Sequence, residues 1–137
     1  MKKVILTVDD STSILSLMPV IFGPGHTVVK ARNGAEAMLK LYDGLFPDLI
    51  ITDLKMPEVD GFDFIERVRC AEAFCKIPIF VLSGSDRSTD KVKCFKLGAD
   101  DYMSKPFNPE ELMMRATNLL GRKRHASVID LAETSIS

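Results

Sequence analysis

The stretch from Asp48 to Gly61, DLIITDLKMPEVDG, constrains the fold of this chain more than any other. Leu49, Ile50, Ile51 and Thr52 form a short run that is rich in branched side chains and lacks helical spacing. That is the pattern of a strand buried on both faces, and such strands belong to parallel sheets covered by helices. Asp53 ends the run. A carboxylate held deep in an apolar core without partners is costly, so Asp53 is expected where the chain leaves the sheet. Met56-Pro57 and Asp60-Gly61 follow at once as turn signals. In open α/β sheets ligands bind outside the carboxyl ends of the strands, which puts Asp53 where chemistry takes place.

The rest of the chain supplies the partners of that strand. Val4 to Val8 reads as a buried strand ending in Asp9-Asp10, and Ser11, Thr12 and Ser13 offer a helix N-cap. Ile14, Leu15, Leu17, Met18, Ile21 and Phe22 then give a helical apolar face, in which Pro19 is expected to kink or shorten the helix. Gly23-Pro24-Gly25 ends the segment, and His26 to Ala31 reads as a second strand. After the Asn33-Gly34 turn, Ala35 to Leu45 reads as a helix with Ala35, Met38, Leu39 and Tyr42 at helical spacing. A third helix, roughly Gly61 to Ala71, places Phe62, Ile65 and Val68 on its inner face. Pro78 to Leu82 is a fourth strand, from whose end Ser83-Gly84-Ser85 emerges. Asp86 to Leu97 is a fourth helix stopped by Gly98 in a left-handed cap. Asp101 to Met103 is a short fifth strand, followed by the loop Lys105-Pro106-Phe107. Asn108-Pro109-Glu110-Glu111 starts the last helix with a cap, a proline and first-turn acids, and it runs to about Leu120. Five strands thus alternate with five helices, which predicts an α/β fold with a doubly wound parallel sheet.

Composition narrows the class. The 137 residues suit one domain, 46% of them are hydrophobic, and the net charge of -1 gives no pull toward nucleic acid or an anionic membrane. No apolar run approaches the length of a membrane span. Asp9 and Asp10 interrupt the apolar start, which therefore reads as a strand and not as a signal peptide. Cys70, Cys75 and Cys94 match no ligand spacing and are expected to be reduced, structural thiols in a cytoplasmic protein. His26 and His125 are too scattered for a metal site and are expected in exposed loop or tail positions. Residues 1–121 form the domain and 122–137 a C-terminal tail or linker. The basic run Arg122-Lys123-Arg124 is read as a helix end or linker start and not as a nucleic-acid contact.

In a parallel sheet all strand ends point the same way, so Asp9, Asp10, Asp53, Ser83 and Lys105 converge on one rim. Three carboxylates so close repel one another, and a hard cation with oxygen ligands resolves the conflict. Magnesium fits, because it takes one or two carboxylates and leaves room for phosphate oxygens. With Lys105 as a fixed positive charge and Ser83 as a donor, the set suits phosphoryl transfer, and an aspartate can itself be the nucleophile.

The adjacent Asp9-Asp10, D-x-x-M-P-x-x-D-G from Asp53 to Gly61, Ser83-Gly84, and ADDYMSKPF from Ala99 to Phe107 together resemble the receiver domain of two-component response regulators. The resemblance runs from about Lys2 to Leu120 and implies a flavodoxin-like sheet of order 2-1-3-4-5. It also implies roles. Asp53 is the phosphoacceptor, Asp10 binds magnesium directly, Asp9 through water, and Lys55 through its backbone carbonyl. Lys105 pairs with Asp53 at rest and with the phosphoryl group afterwards. Ser83 swings toward the phosphoryl oxygens, Tyr102 turns inward as it does so, and Lys105-Pro106 is a cis peptide. The implied phosphodonor is a phosphohistidine on a sensor histidine kinase or histidine phosphotransfer protein. The output goes to a downstream effector protein or a fused output domain. Lys91, Asp101, Glu111 and Arg115 resemble charges that form a homodimer face in one subfamily, as Lys91–Glu111 and Asp101–Arg115 pairs. Such a domain is not a conventional enzyme; it catalyses its own aspartyl phosphorylation and dephosphorylation. Two alternatives stand beside this reading: a phosphohydrolase of the haloacid dehalogenase type, with its nucleophile at Asp9, and a receiver-like module that takes no phosphate.

Overall fold

The structure is a computed structural model that describes residues 2–121. Five strands, β1 (Lys3–Val8), β2 (His26–Ala31), β3 (Leu49–Thr52), β4 (Ile79–Ser83) and β5 (Asp101–Ser104), alternate with five helices. These are α1 (Thr12–Phe22), α2 (Gly34–Tyr42), α3 (Gly61–Cys70), α4 (Ser88–Leu97) and α5 (Pro109–Leu120). All strand pairs are parallel, in the order β2-β1-β3-β4-β5. This is the flavodoxin-like sheet that the motif resemblance implied.

Strand periodicity divides the interior into two cores, because successive side chains leave opposite faces of the sheet. Leu6, Val8, Ile50 and Val81 meet Ala37, Met38, Leu41, Phe64, Ile65 and Val68 on one face. Ile5, Ile51, Phe80 and Leu82 meet Met18, Phe22, Leu112, Ala116 and Leu119 on the other. All four residues of β3 are buried, as expected of the central strand.

Short polar side chains start four of the five helices. Ser11 Oγ accepts from the Ile14 N–H at 3.3 Å, Asn33 Oδ1 from Glu36 at 2.8 Å, and Asp60 Oδ1 from Asp63 at 2.9 Å. Asn108 Oδ1 accepts from both Glu110 and Glu111. α4 differs: its N-cap is Arg87, whose side chain caps nothing, and the helix starts at Ser88 and not at Asp86. Gly98 ends α4 with φ 116°, in the left-handed region expected of it.

Several expectations change in the structure. In α2 the buried stripe is Gly34, Ala37, Met38 and Leu41, and Leu39 and Tyr42 are each 69% exposed. Helical spacing admits both stripes, and close approach selects between them. A Cβ on Gly34 would lie 2.7 Å from the Val59 carbonyl oxygen, so only the small-residue face fits beneath the β3–α3 loop. Tyr42 and Phe46 instead lean on Phe74, with ring centroids 5.9 Å and 6.3 Å away. Pro19 stays inside α1, and its carbonyl accepts the Gly23 N–H that closes the helix. His26 is a half-buried strand residue, with Nδ1 3.0 Å from the Phe22 carbonyl oxygen. Of the three free cysteines only Cys94 is buried, and burial pushes its thiol up to about 11. The expected tail or linker, 122–137, with His125 and the basic run, lies outside the described residues. Among the described residues no helix is long and apolar enough to cross a membrane.

The α2 assignment separates two leucines two positions apart. Leu41→Ala should cost about 2–5 kcal/mol of unfolding free energy in urea, as for a buried leucine. Leu39→Ala should stay within about 0.5 kcal/mol. Equal costs would contradict the buried stripe.

Candidate functional site

The rim of the sheet collects the side chains from four strand ends. Asp9 follows β1, its N–H bonded to the Ala31 carbonyl at 3.0 Å, and its side chain is almost wholly buried. Asp53 follows β3, its N–H bonded to the Val8 carbonyl at 2.9 Å. The two strands are adjacent and in register, which sets the two carboxylates side by side. Asp10 lies next to them and is exposed. One carboxylate oxygen from each of the three lies within 4.8 Å of the others.

Lys105 reaches this cluster from beyond β5. Its Nζ donates to Asp9 Oδ2 at 2.8 Å and to Asp53 Oδ2 at 3.3 Å. Its backbone N–H donates to the Ser83 carbonyl at 2.8 Å, and the Lys105-Pro106 peptide is cis. Burial alone would lower the Lys105 ammonium; the hydrogen bond to Asp9 and the charges of Asp53 and Asp9 outweigh it and hold the group above its ordinary value. Asp9 moves up, because burial outweighs its bonds to Lys105 and to the Ser11 N–H.

The two oxygens of Asp53 are differently engaged. Oδ1 accepts the Leu54 N–H at 2.7 Å, and Oδ2 faces Lys105. The loop after Asp53 folds back over it. Gly61 donates to the Leu54 carbonyl at 2.8 Å, and a Cβ on Gly61 would lie 2.1 Å from the Asp53 carbonyl oxygen. Thr52 Oγ1 donates to that same carbonyl oxygen at 2.9 Å. The glycine of the D-x-x-M-P-x-x-D-G run is therefore needed for the approach that closes the loop. Lys55, in this loop, exposes its side chain.

Ser83 is 1% exposed, and its Oγ accepts the Ser85 N–H at 3.1 Å. Tyr102 is turned inward, 5% exposed, and its hydroxyl donates to the Ser85 carbonyl oxygen. Burial raises its pKa, with a hydrogen bond to Ser83 acting the other way. Lys91 Nζ stands 5.7 Å from the Tyr102 ring centroid. Asp101 and Glu111 both pair with Arg115 inside the chain, at 3.0 Å and 2.9 Å. The structure thus brings Asp9, Asp10, Asp53, Lys105 and Ser83 to one rim. It places Lys91, Asp101, Glu111 and Arg115 apart from it, on α4, β5 and α5.

The donor set fits a divalent cation with oxygen ligands: Asp9, Asp10 and Asp53 offer three clustered carboxylates, and one lysine leaves them with excess negative charge. An anion brought to that cation would meet the Lys105 ammonium, and Ser83 ends the strand next to the one that Asp53 follows. Sequence reasoning did not single out Asp90, whose Oδ2 accepts from the Ser85 hydroxyl at 2.7 Å. Its only signal was an acid in the first turn of a helix, a common position.

Known proteins resemble this chain in sequence and in fold. A family model described as the response regulator receiver domain matches residues 5–117. The chain is 39% identical over 128 residues to the alkaline phosphatase synthesis transcriptional regulatory protein PhoP of Bacillus subtilis, covering 93% of this chain and 52% of that protein. It is 39% identical over 119 residues to the DNA-binding dual master transcriptional regulator RpaA of Synechocystis, covering 86% of this chain and 49% of that protein. The chain therefore spans about half the length of these curated relatives. The structure of the chemotaxis response regulator CheY4 of Vibrio cholerae is similar with a TM-score of 0.80 at 32% identity, covering 87% of this chain and 99% of that one. A CheY-like receiver domain protein from Methanospirillum hungatei gives a TM-score of 0.82 at 26% identity, covering 93% of this chain and 100% of that one.

The closed loop over Asp53 gives a stability prediction. Gly61→Ala should cost about 1–3 kcal/mol in urea denaturation, because the new methyl collides with backbone that cannot swing away. Gly121→Ala, where the added Cβ comes no nearer than 3.5 Å, should change little. A neutral Gly61→Ala would contradict the close approach.

Proposed function

The chain belongs to the response regulator receiver family, and from that premise we propose that it is a phosphorylation-controlled signalling switch whose phosphoacceptor is Asp53. The observation that carries the reading is the Lys105 ammonium held 3.3 Å from Asp53 Oδ2 and 2.8 Å from Asp9 Oδ2, with Asp10 beside them. An Asp53 carboxylate oxygen is the attacking atom, with Oδ1 held by the Leu54 N–H and Oδ2 facing Lys105. It attacks the phosphorus of a phosphohistidine; the P–N bond breaks, the imidazole leaves with a proton, and an acyl phosphate forms on Asp53. Hydrolysis by water returns the carboxylate and inorganic phosphate.

Magnesium would be held by Asp10 and Asp53 directly, by Asp9 through water and by the Lys55 carbonyl, and would neutralise charge on the transferred oxygens. Lys105 turns from Asp53 to the phosphoryl group, and Ser83 donates its hydroxyl to a phosphoryl oxygen. Tyr102, already inward, packs behind the displaced serine. A switch that takes a population from 1:99 to 99:1 needs about 5.5 kcal/mol, which several charge-assisted hydrogen bonds can supply.

The donor is the phosphohistidine of a sensor kinase or phosphotransfer protein. Exposed apolar side chains on α1 and α5 support a docking surface for it: Val20 is 75% and Met114 69% exposed, and a groove of about 460 Å³ is lined by Ile21, Pro109, Glu110, Met113 and Met114. The output is a downstream effector protein or a fused domain, the latter supported by relatives about twice as long. Phosphorylation-dependent dimerisation through Lys91, Asp101, Glu111 and Arg115 requires Arg115 to exchange its partners within the chain for those of a second copy.

Acetyl phosphate with magnesium should add one phosphoryl group to the intact mass, and chelation of the metal should abolish the gain. Asp53→Asn should lose it entirely. Asp10→Asn, at an exposed position, should weaken magnesium binding roughly tenfold or more while leaving the fold intact. A phosphoryl gain retained in Asp53→Asn would move the nucleophile elsewhere and overturn the reading.

A further inference from the structure

We propose that buried Ser85 is a positioning residue that carries the movement of Ser83 into the first turn of α4 through Asp90; this rests on Asp53 being the phosphoacceptor. Every polar group of Ser85 is engaged, each with a different part of the switch region. Its N–H donates to Ser83 Oγ at 3.1 Å, at the end of β4. Its carbonyl accepts the Tyr102 hydroxyl from β5. Its own hydroxyl donates to Asp90 Oδ2 at 2.7 Å and accepts the Arg87 N–H at 3.3 Å, both at the start of α4. Ser85 is 8% exposed, so these bonds do not compete freely with water.

The rest of α4 gives this tie its consequence. The helix buries only Cys94, and Val92 and Phe95 are 50% and 42% exposed. A helix with so little buried apolar surface is set in place by its polar ties, and its local stability is low. Its far end is held firmly. Arg69 Nε donates to the Gly98 carbonyl at 3.0 Å, Arg69 also pairs with Asp100 at 3.0 Å, and Asp100 accepts the Ile79 N–H at 2.8 Å. A Cβ on Gly98 would meet the Arg69 side chain at 2.9 Å. The near end has no side-chain cap from Arg87, and the Ser85 hydroxyl ties it by accepting the Arg87 N–H and donating to Asp90. Asp90 lies in the first turn, where its charge favours the helix N-terminus and where Ser85 fixes it.

When Ser83 turns its hydroxyl toward the phosphorylated aspartate, the acceptor for the Ser85 N–H moves with it. Ser85 follows, and the Arg87 N–H and Asp90 follow Ser85. Because Gly98 stays pinned to Arg69, α4 answers as a lever that moves at its first turn. Without the hydroxyl or its carboxylate partner, Ser83 still responds to phosphorylation, but the response of α4 is much reduced.

Amide hydrogen exchange tests this on the full chain with magnesium, with and without beryllofluoride as a stable phosphoryl mimic. In the wild type, beryllofluoride should change exchange both in residues 54–60 and in residues 88–93. In Ser85→Ala and Asp90→Ala the change at 54–60 should persist, and that at 88–93 should shrink roughly fivefold, the loss expected for one hydrogen bond. Ser85→Thr and Asp90→Asn keep a donor and an acceptor and should restore it, which a merely structural role would not require. Alanine variants whose 88–93 segment responds as in the wild type would overturn the coupling alone. So would alanine variants that lose the response at 54–60 as well. A wild type silent in both segments would overturn the phosphoacceptor reading and this inference with it.

Discussion

Lys105 bridges Asp9 and Asp53, two buried carboxylates that would repel each other without it. Burial disfavours every charge in this trio, and removing one partner of such a buried cluster is far more costly than its net contribution suggests. The geometry of the sheet follows from satisfying it. Asp9 and Asp53 must leave adjacent parallel strands in register, which β1 and β3 provide at the centre of the sheet. Lys105 must reach across from beyond the edge strand, which its bond to the Ser83 carbonyl at 2.8 Å arranges. The loop over Asp53 must return closely enough to touch its backbone, which Gly61 alone permits. The two apolar cores hold these strand ends rigid, so a small change of charge at the rim meets a frame that does not yield.

One lysine against three carboxylates leaves the rim negative, and that imbalance is its chemical capacity. It suits a divalent cation, and a cation there suits a phosphoryl group. The hydrogen bonds that lead away from the rim lie on one side of the sheet. Ser83, Ser85 and Tyr102 form a connected set of hydrogen bonds from the rim to α4 and β5. α4 itself is lightly packed, in contrast to α3 and α5, which bury broad apolar faces. Rigid strand ends and a loosely packed helix are the two ingredients of a switch whose input and output lie on different surfaces.

Much of this was legible in the sequence because strand ends in a parallel sheet share one direction. The branched run ending at Asp53 and the run ending at Asp9-Asp10 required no knowledge of packing to be set on the same rim. Ser83 and Lys105 followed by the same rule, and Asn33, Asp60 and Asn108 announced helix starts by their side-chain chemistry. What was not legible depended on contacts between elements. The face of α2 turns on the approach of Val59 to Gly34, which the helical spacing of Ala35, Met38, Leu39 and Tyr42 alone cannot reveal. The start of α4 depends on Ser85 and Asp90, five residues apart and outside the usual capping pattern. Tyr102 and the cis Lys105-Pro106 peptide came from the family resemblance and not from the physics of the residues.

A crystal structure of the chain with magnesium and beryllofluoride would test Asp53 as the phosphoacceptor directly. Beryllium should bond a carboxylate oxygen of Asp53, with magnesium against Asp10 and fluorines within hydrogen-bonding distance of Lys105 Nζ and Ser83 Oγ. An adduct on Asp9, or a metal bound away from these three carboxylates, would contradict it.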